Sequence, residues 1–240
     1  MANYEALLKG HEALAEGTMA FRLEKPAGFT FKPGQSVNVA LIDPPAEANS
    51  TRRVFSLASA PFEEELVVAT RMRDGSAYKR ALGSLPPGAR LKLSGPLGSM
   101  TLHEDRARAA VFIAGGIGIT PFMSMLRQAA HDRLAQRLLL LYSNRRPEDA
   151  AFLGELLDLE RKAGNFRMLA TMTDMNKSAQ AWQGERGMLD EEKVKRFVAD
   201  AAAPVYYLAG PPVMVDAMSA VLRRIGVDDE EIRSEEFYGY

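Results

Sequence analysis

Short apolar runs, each broken by glycine or proline, fill the chain up to about residue 103. Runs of this length with turn residues on either side are typical of the strands of a small β-domain. The runs are AFRLEKP, QSVNVALI, RRVFSLAS, ELVVATRM and RLKLSGP. The segment at 76–85, SAYKRALGSL, instead has helical spacing and stops at a Pro-Pro pair. This part of the chain predicts an antiparallel sheet or β-barrel with one short helix.

The pattern changes after a charged connector at 103–109, HEDRARA. Apolar runs now alternate with amphipathic segments, which is typical of a parallel sheet covered by helices. The runs are AAVFIA, RLLLLYS, FRMLATM and PVYYLAG, and a last strand is predicted at IRSEEF. The amphipathic segments lie near 121–130, 148–163, 190–199 and 212–225. We therefore expect two domains, an antiparallel β-barrel over residues 1–104 and an α/β domain with a parallel sheet over residues 105–240.

Composition excludes several classes of function. Apolar residues make up 47% and charged residues 25% of the chain, the balance of a water-soluble globular protein. The net charge of -1 gives no field that would attract nucleic acid or an acidic membrane. With no cysteine, the chain cannot ligate an iron-sulfur cluster through thiolates. The acidic N-terminal segment lacks a long apolar run, so we expect neither a secretory signal nor a membrane anchor, and a cytoplasmic location.

A glycine-rich turn follows the run AAVFIA. It contains Gly115, Gly116 and Gly118, and a helix is predicted to begin at Pro121 with Thr120 as its N-cap. Glycine lets a phosphate approach the backbone, and a helix N-terminus supplies unpaired N–H groups. The turn therefore predicts a diphosphate site. A tight turn that binds nothing is the alternative.

A second turn contains Gly210 and Pro211 after the run PVYYLAG. In an open parallel sheet both turns lie at the carboxyl edge, where ligands bind. Two such turns at one edge predict one long ligand, and a rigid loop that only ends the strand is the alternative.

Alternation along RRVFSLAS places Arg53, Phe55 and Leu57 on one face of a strand and Val54 and Ser56 on the other. By itself this is the pattern of an ordinary strand with a surface arginine and a core aromatic residue.

The order and spacing of seven short motifs resemble the ferredoxin-NADP reductase family over nearly the whole chain. The motifs are FKPGQ at 31–35, RVFS at 53–56, RDGSAYKRAL at 73–82, GPLG at 95–98, GGIGITP at 115–121, AGPPVM at 209–214 and EEF at 235–237. The resemblance implies that the β-barrel binds FAD and that the α/β domain binds NAD(P)H.

The arginine-x-aromatic-serine motif of that family binds FAD, and here it falls on Arg53, Phe55 and Ser56, followed by Leu57. The resemblance implies that Arg53 contacts the diphosphate, that Phe55 lies against the flavin and that Ser56, a catalytic candidate, bonds flavin N5. Phe55 stands where the family commonly has tyrosine, so one hydrogen bond to the flavin side chain is in question. The second FAD segment implied by the resemblance is Thr70, Arg71, Gly75, Ser76, Ala77 and Tyr78.

The glycine turns then become the NAD(P) site, with Thr120 near the diphosphate and Gly210 and Pro211 near the nicotinamide. Residues after the next two strands are expected to discriminate NAD from NADP: Ser143, Asn144, Arg145, Thr173 and Asp174. Arg145 favours a 2′-phosphate and Asp174 favours a free ribose. These two residues by themselves do not decide between NAD and NADP. We predict a preference for NADH, because Asp174 follows the strand end and should repel a 2′-phosphate.

The resemblance also assigns roles to the C-terminus. A carboxylate followed two residues later by an aromatic lies beside the flavin in that family, which makes Glu235 and Phe237 catalytic candidates. Tyr240 is expected to fold back onto the FAD. A frayed tail is the alternative.

The function implied is NAD(P)H-dependent reduction of FAD, which passes electrons to a separate acceptor, either a ferredoxin- or flavodoxin-type protein or a small molecule. An NAD(P)H:flavin reductase that uses free flavin as substrate is the alternative, encouraged by Phe55. A non-enzymatic redox-sensing module is a third interpretation, and the intact binding motifs argue against it.

Overall fold

The computed structural model describes residues 2–42, 44, 46 and 50–238. The chain divides into two compact units, one of Met1–Thr101 with Thr120–Ala129 and the other of Leu102–Ile119 with Ala130–Tyr240. The predicted connector at 103–109 thus belongs to the second unit, whereas one later helix is grouped with the first. No helix in the described part of the chain is both long and apolar enough to cross a membrane. The cytoplasmic location stays a prediction.

The first unit is built on an antiparallel sheet in the order β4-β3-β6-β1-β2-β5. Its strands are β1 (Ala2–Ala15), β2 (Thr18–Glu24), β3 (Ser36–Leu41), β4 (Arg52–Ser56), β5 (Glu65–Arg71) and β6 (Arg90–Leu97). Leu57, just beyond β4, forms an antiparallel bridge with Val68 of β5. The amide of Ala58 donates to the carbonyl of Val67 at 2.8 Å. The two edge strands therefore meet and close the sheet towards a barrel, and the predicted antiparallel fold is confirmed.

Strand β1 was not predicted from the sequence. Its stretch EALLKGHEALA is rich in good helix formers, which hide the strand signal. In the structure β1 pairs with β2 on one side and β6 on the other, and Ala6 and Leu8 alternate with exposed neighbours. Pairing on both sides outweighs the local helix propensity.

Two helices complete the first unit, α1 (Ala77–Ser84) and the residues of α2 (Thr120–His131) that are grouped with it. The hydroxyl of Tyr78 in α1 donates to the carbonyl of Val39 in β3 at 2.8 Å, which anchors the helix in the barrel core. In α2, Arg127 donates to the carbonyl of Ala58 at 3.0 Å. The described core cluster of this unit contains Tyr78 and Leu82 of α1 together with residues of the strands.

The second unit is built on a parallel sheet in the order β10-β9-β8-β7-β11-β12. Its strands are β7 (Ala110–Gly115), β8 (Leu138–Asn144), β9 (Phe166–Met172), β10 (Glu185–Arg186), β11 (Val205–Gly210) and β12 (Ile232–Glu236). Its helices α3 (Leu153–Lys162), α4 (Glu191–Val198) and α5 (Pro212–Arg224) follow β8, β10 and β11. All residues of β7 and β11 are buried, as the continuous apolar runs predict. The α/β fold is confirmed.

Two local features differ from the predictions. The helix expected over 148–163 is split into a 3₁₀ turn at Pro147–Asp149 and α3, because Phe152 between them has a left-handed φ of 60°. The two-residue strand β10 was too short to be recognised from periodicity.

A buried polar network lies under β11 in the second unit. The Nδ1 atom of His103 lies 2.8 Å from the hydroxyl of Tyr207, and its Nε2 atom lies 2.9 Å from the side-chain nitrogen of Gln136. Arg106 bonds both the carbonyl of His103 and the side-chain oxygen of Gln136 at 2.9 Å. Burial lowers the pKa of His103, and the charges of Arg233, Arg108 and Arg106 lower it further. The hydrogen bond that the imidazole donates to the Arg108 carbonyl opposes this shift.

We expect acid to destabilise the protein through His103. Because the folded state holds this imidazole neutral, the unfolded chain binds a proton first as the pH falls below its ordinary pKa of about 6.5. The contribution of His103 is complete above that pH and is lost as the pH falls towards the lowered pKa. Denaturant unfolding of wild type and His103→Gln at about pH 7.5 and 5.5 measures this. Equal losses of unfolding free energy in both proteins would contradict it.

Candidate functional site

An arginine and two aromatic rings meet on the barrel of the first unit. The guanidinium of Arg53 in β4 lies over the ring of Tyr78 in α1, 5.4 Å from its centroid. The ring of Phe55 stacks on the same tyrosine with centroids 6.3 Å apart and planes at 30°. Burial raises the pKa of Tyr78, against the opposing charge of Arg53. The predicted alternation holds, since Phe55 and Leu57 are buried whereas Val54 is 57% exposed.

Three cations gather beside this aromatic pair. Burial lowers the pKa of Lys79, and the nearby charges of Arg73 and Arg53 lower it further. Among the described residues none of the three forms a salt bridge with a carboxylate, and the Lys79 ammonium donates to the carbonyl of Arg71 at 2.9 Å. A lysine on a helix face is usually solvated, whereas Lys79 is half-buried. Like charges held together without a counterion are the electrostatic signature of an anion site.

The segment before α1 caps that helix through a serine side chain. The Ser76 hydroxyl accepts the amide of Lys79 at 3.3 Å, so Ser76 is the N-cap. A side chain at Gly75 would meet nothing within 4 Å, which leaves its backbone open to a ligand. Thr70, at the end of β5, is buried and Ala77 is half-buried. These residues lie on the loop and helix start that the resemblance assigns to FAD.

Ser56 and Leu57 close the β4 segment. Ser56 is 5% exposed and pairs with Ser36 of β3. Leu57 is fully buried in the barrel core, and its amide donates to the carbonyl of Gln35 at 2.9 Å. Of these two, only Ser56 retains any exposed surface in the structure.

The two glycine turns of the second unit lie side by side. Strands β7 and β11 are direct neighbours, with Ala114 opposite Ala209. A Cβ atom on Gly118 would lie 2.2 Å from the carbonyl oxygen of Ala209, and one on Gly210 would lie 3.1 Å from the Cα atom of Gly115. Because they have no side chain, Gly115 and Gly118 let the two turns pack together. The sequence alone could not distinguish this packing role from a role in ligand binding.

Gly116 has a different role. Its φ of +53° lies in the left-handed region, and a Cβ atom there would meet nothing within 4 Å. Among the three glycines of this turn, Gly116 is the one whose backbone is open to an approaching phosphate.

The start of α2 corrects one prediction. Gly116–Ile119 form a 3₁₀ turn that runs directly into α2, and Thr120 is the first residue of that helix rather than its N-cap. Pro211, in contrast, precedes α5 as its N-cap, with Pro212 as the first helical residue.

The loops after β8 and β9 are joined at the carboxyl edge. The Asn144 carbonyl accepts the amide of Thr173 at 2.9 Å, and the Arg145 carbonyl accepts that of Asp174 at 2.8 Å. The Asn144 side chain is buried, whereas Arg145 is exposed. Asp174 pairs with Lys177 at 2.8 Å. The sequence pattern did not predict that Lys177 belongs to this site. Its position three residues after Asp174 could have indicated the salt bridge.

The C-terminal strand lies beside the same edge. Glu235 and Glu236 of β12 are opposite Ala209 and Gly210. The amide of Phe237 donates to the Gly210 carbonyl at 2.9 Å, so the chain stays attached one residue beyond the strand. Burial raises the pKa of Glu235. Tyr240 lies outside the described residues.

Comparisons with known proteins agree with this architecture. A family model described as an oxidoreductase NAD-binding domain matches residues 112–220. Ferredoxin-NADP reductase B of Sorangium cellulosum is 29% identical, and the match covers 98% of this chain and 97% of that protein. The chain is thus similar over nearly its whole length to a ferredoxin-NADP reductase. A solved ferredoxin-NADP reductase from Neisseria gonorrhoeae, with bound FAD and NADP, shares the fold with a TM-score of 0.80 at 20% identity over 98% of both chains.

Other relatives of this chain are longer than it is. The reductase subunit of glycine betaine monooxygenase from Chromohalobacter salexigens is 29% identical over 92% of this chain, which spans 60% of that protein. The chain likewise spans 61% of the reductase component of propane 2-monooxygenase from Rhodococcus jostii.

Proposed function

We propose that this chain is an FAD-dependent NAD(P)H oxidoreductase that delivers electrons to a separate acceptor. The observation that carries the proposal is the cluster of Arg53, Arg73 and Lys79 beside the stacked rings of Phe55 and Tyr78. Unpaired cations next to aromatic rings fit a ligand that combines a diphosphate with flat rings, as FAD does.

The residues have separate roles in this proposal. Arg53 and the amides after Ser76 bind the diphosphate, and Phe55 packs against the flavin. Ser56 would supply a hydroxyl for a hydrogen bond to the reacting part of the flavin. Bound FAD would supply hydride acceptance from NAD(P)H and release of single electrons.

The second unit would bind NAD(P)H. Gly116 leaves the backbone open to the diphosphate, and Gly210 with Pro211 is assigned to the nicotinamide end of the edge. Glu235 of β12 and Phe237, one residue beyond that strand, lie at this edge, and we assign them to organising the hydride-transfer site. We place the FAD domain at residues 1–104 and the NAD(P)H domain at 105–240.

A separate redox protein is the proposed acceptor. The relatives named above include reductase subunits of monooxygenases as well as a ferredoxin-NADP reductase. A ferredoxin- or flavodoxin-type protein therefore remains the proposed class of partner, with a small molecule as the alternative.

Anaerobic titration of the purified protein tests the proposal. Retained yellow FAD that NADH or NADPH bleaches supports it, and a screen of redox proteins then identifies the acceptor. Colourless protein that reduces added flavin would instead assign the flavin reductase activity that the absent hydroxyl of Phe55 favours. Failure of both nucleotides to reduce bound or added flavin would overturn both.

We expect NADH to be preferred over NADPH. Asp174 lies just beyond the end of β9. Its carboxylate forms a salt bridge with Lys177, and its main-chain amide donates a hydrogen bond to the carbonyl of Arg145. A carboxylate there accepts hydrogen bonds from a free ribose and repels a 2′-phosphate. Comparison of kcat/KM for the two nucleotides in wild type and Asp174→Asn measures this, and the substitution should narrow the preference. A higher kcat/KM with NADPH in wild type would assign Arg145 to the 2′-phosphate instead.

A further inference from the structure

One carboxylate ties together the two loops that follow β8 and β9 in the second unit. An oxygen of Glu148 accepts the amide of Ala179 at 2.8 Å and that of Gln180 at 3.1 Å. The hydroxyl of Ser178 donates to both carboxylate oxygens, at 3.0 and 2.9 Å. A single side chain on the first loop therefore binds three consecutive residues of the second. We call this set of bonds the Glu148 clamp.

The clamp is the outer attachment between the two loops and a second one lies at their inner end, while Arg146 also joins the loops by donating to the carbonyl of Lys177 at 3.3 Å. The inner one joins the strand ends, where the carbonyls of Asn144 and Arg145 accept the amides of the second loop. Between the two attachments the chain carries Asp174 and Lys177, the charged pair at the carboxyl edge. Glu148 thus holds the far end of the segment that presents this pair.

The charged side chains on the two loops near Glu148 form salt bridges with other residues. On its own loop, Arg146 pairs with Asp149 through two bonds of 2.9 and 3.0 Å. On the facing loop, Lys177 pairs with Asp174. Hydrogen bonds from its own main-chain amide, from Ser178 and from the two loop amides lower the pKa of Glu148. A carboxylate that accepts several N–H bonds stays charged and keeps them strong.

A solvated surface acid is the plain alternative. Such a residue would be exposed and would contact water or a neighbouring lysine, and exposed pairs of that kind contribute little. Glu148 is instead half-buried, and apart from its own amide the hydrogen-bond donors to its carboxylate belong to one loop. The bonds to main-chain amides fix the path of that loop rather than the position of one side chain.

We propose that Glu148 is a positioning residue for the pyridine nucleotide, because its clamp holds the loop at 174–180 in the conformation that meets the ribose end of the ligand. This proposal rests on the proposed function of the second unit. Glu148 does not itself need to touch the nucleotide.

Two measurements on the full-length holoprotein test the clamp. Glu148→Ala should raise the KM for the preferred nucleotide by about 10-fold or more while kcat at saturation changes by less than about twofold, as expected when several hydrogen bonds are lost. Trypsin should also cut after Lys177 faster, because the loop can open. Glu148→Gln keeps an acceptor oxygen for the loop amides and should lie between wild type and Glu148→Ala in both assays.

Glu191→Ala is the matched control. Glu191 lies in the same unit and pairs with Lys195 and Arg224 on the surface, away from both loops along the chain. It should leave the KM and the cleavage rate at their wild-type values.

The pH profile separates positioning from general stability. Since the pKa of Glu148 is lowered, the clamp is intact above that pKa and opens as the pH falls through it. The wild-type KM should therefore rise on acidification, and the KM of Glu148→Ala should change less.

The outcomes distinguish this proposal from the function on which it rests. A wild-type KM in Glu148→Ala would overturn the clamp, whether or not cleavage after Lys177 is faster. An equal rise of KM in Glu191→Ala would overturn it as well, since the effect would then be general. If wild type reduces flavin with neither nucleotide, the proposed function itself fails.

Discussion

Gly118→Ala should destabilise the second unit by about 3 kcal/mol, at the upper end of overpacking substitutions. The new Cβ atom would lie 2.2 Å from the carbonyl oxygen of Ala209, 2.5 Å from its carbonyl carbon and 2.7 Å from the Cα atom of Gly210. These are main-chain atoms of a buried central strand, so no side chain can rotate away to make room. In a chain of this size we expect Tm to fall by roughly 6 °C or more, which thermal unfolding followed by circular dichroism measures.

Gly116→Ala is the matched control for this prediction. The new methyl group would meet nothing within 4 Å, and only the left-handed φ of +53° opposes it. That conformation costs a non-glycine residue about 1 kcal/mol. Gly116→Ala should therefore unfold nearer to wild type than Gly118→Ala, while its methyl group obstructs the proposed diphosphate. If Gly118→Ala proved as stable as wild type, the close packing of the two turns would be wrong.

This contrast shows what the sequence could predict of the site. The motif GGIGITP predicts a glycine turn at a strand end, and the structure confirms that turn and its place beside Gly210. Sequence could not tell which glycine is needed for packing and which is open to a ligand, because that depends on the neighbouring turn some 90 residues later in the chain. Without this contact in view, the motif alone assigned Gly115, Gly116 and Gly118 together to ligand binding.

The fold was predicted well where periodicity is strong. The buried runs of β7, β8, β9 and β11 and the amphipathic helices after them are confirmed within a few residues. Strand β1 was missed because its alanine, leucine and glutamate residues favour a helix locally, and only pairing with β2 and β6 makes it a strand. Glu148 and Lys177 were missed for a related reason. Each acts through a loop partner whose position local sequence does not specify.

Arg53→Ala should weaken FAD binding by about 10- to 150-fold, the effect of losing a charge-assisted hydrogen bond worth about 1.5–3 kcal/mol. Arg53 is half-buried over the ring of Tyr78, and among the described residues no carboxylate neutralises it. Its guanidinium donates a hydrogen bond to the carbonyl of Arg52 at 3.1 Å. The cation is therefore held at the barrel surface with its charge available to a ligand. FAD content after gel filtration and the Kd from flavin fluorescence measure the loss.

Arg52, the neighbouring arginine in β4, provides a matched control for Arg53→Ala. Arg52 precedes Arg53, so alternation turns it to the opposite face of β4, where it is exposed. Arg52→Ala removes the same charge and should retain FAD as wild type does, whereas Arg53→Lys, which keeps the charge but not the planar fork, should fall between wild type and Arg53→Ala. The stability of the FAD-free protein should change little in Arg53→Ala, because a cation–π contact of this kind contributes only about 0.5–1 kcal/mol. Equal FAD content in Arg53→Ala and Arg52→Ala would show that the arginine of this motif does not bind the diphosphate, and the assignment of the first unit to FAD would then have to rest on the cap at Ser76 alone.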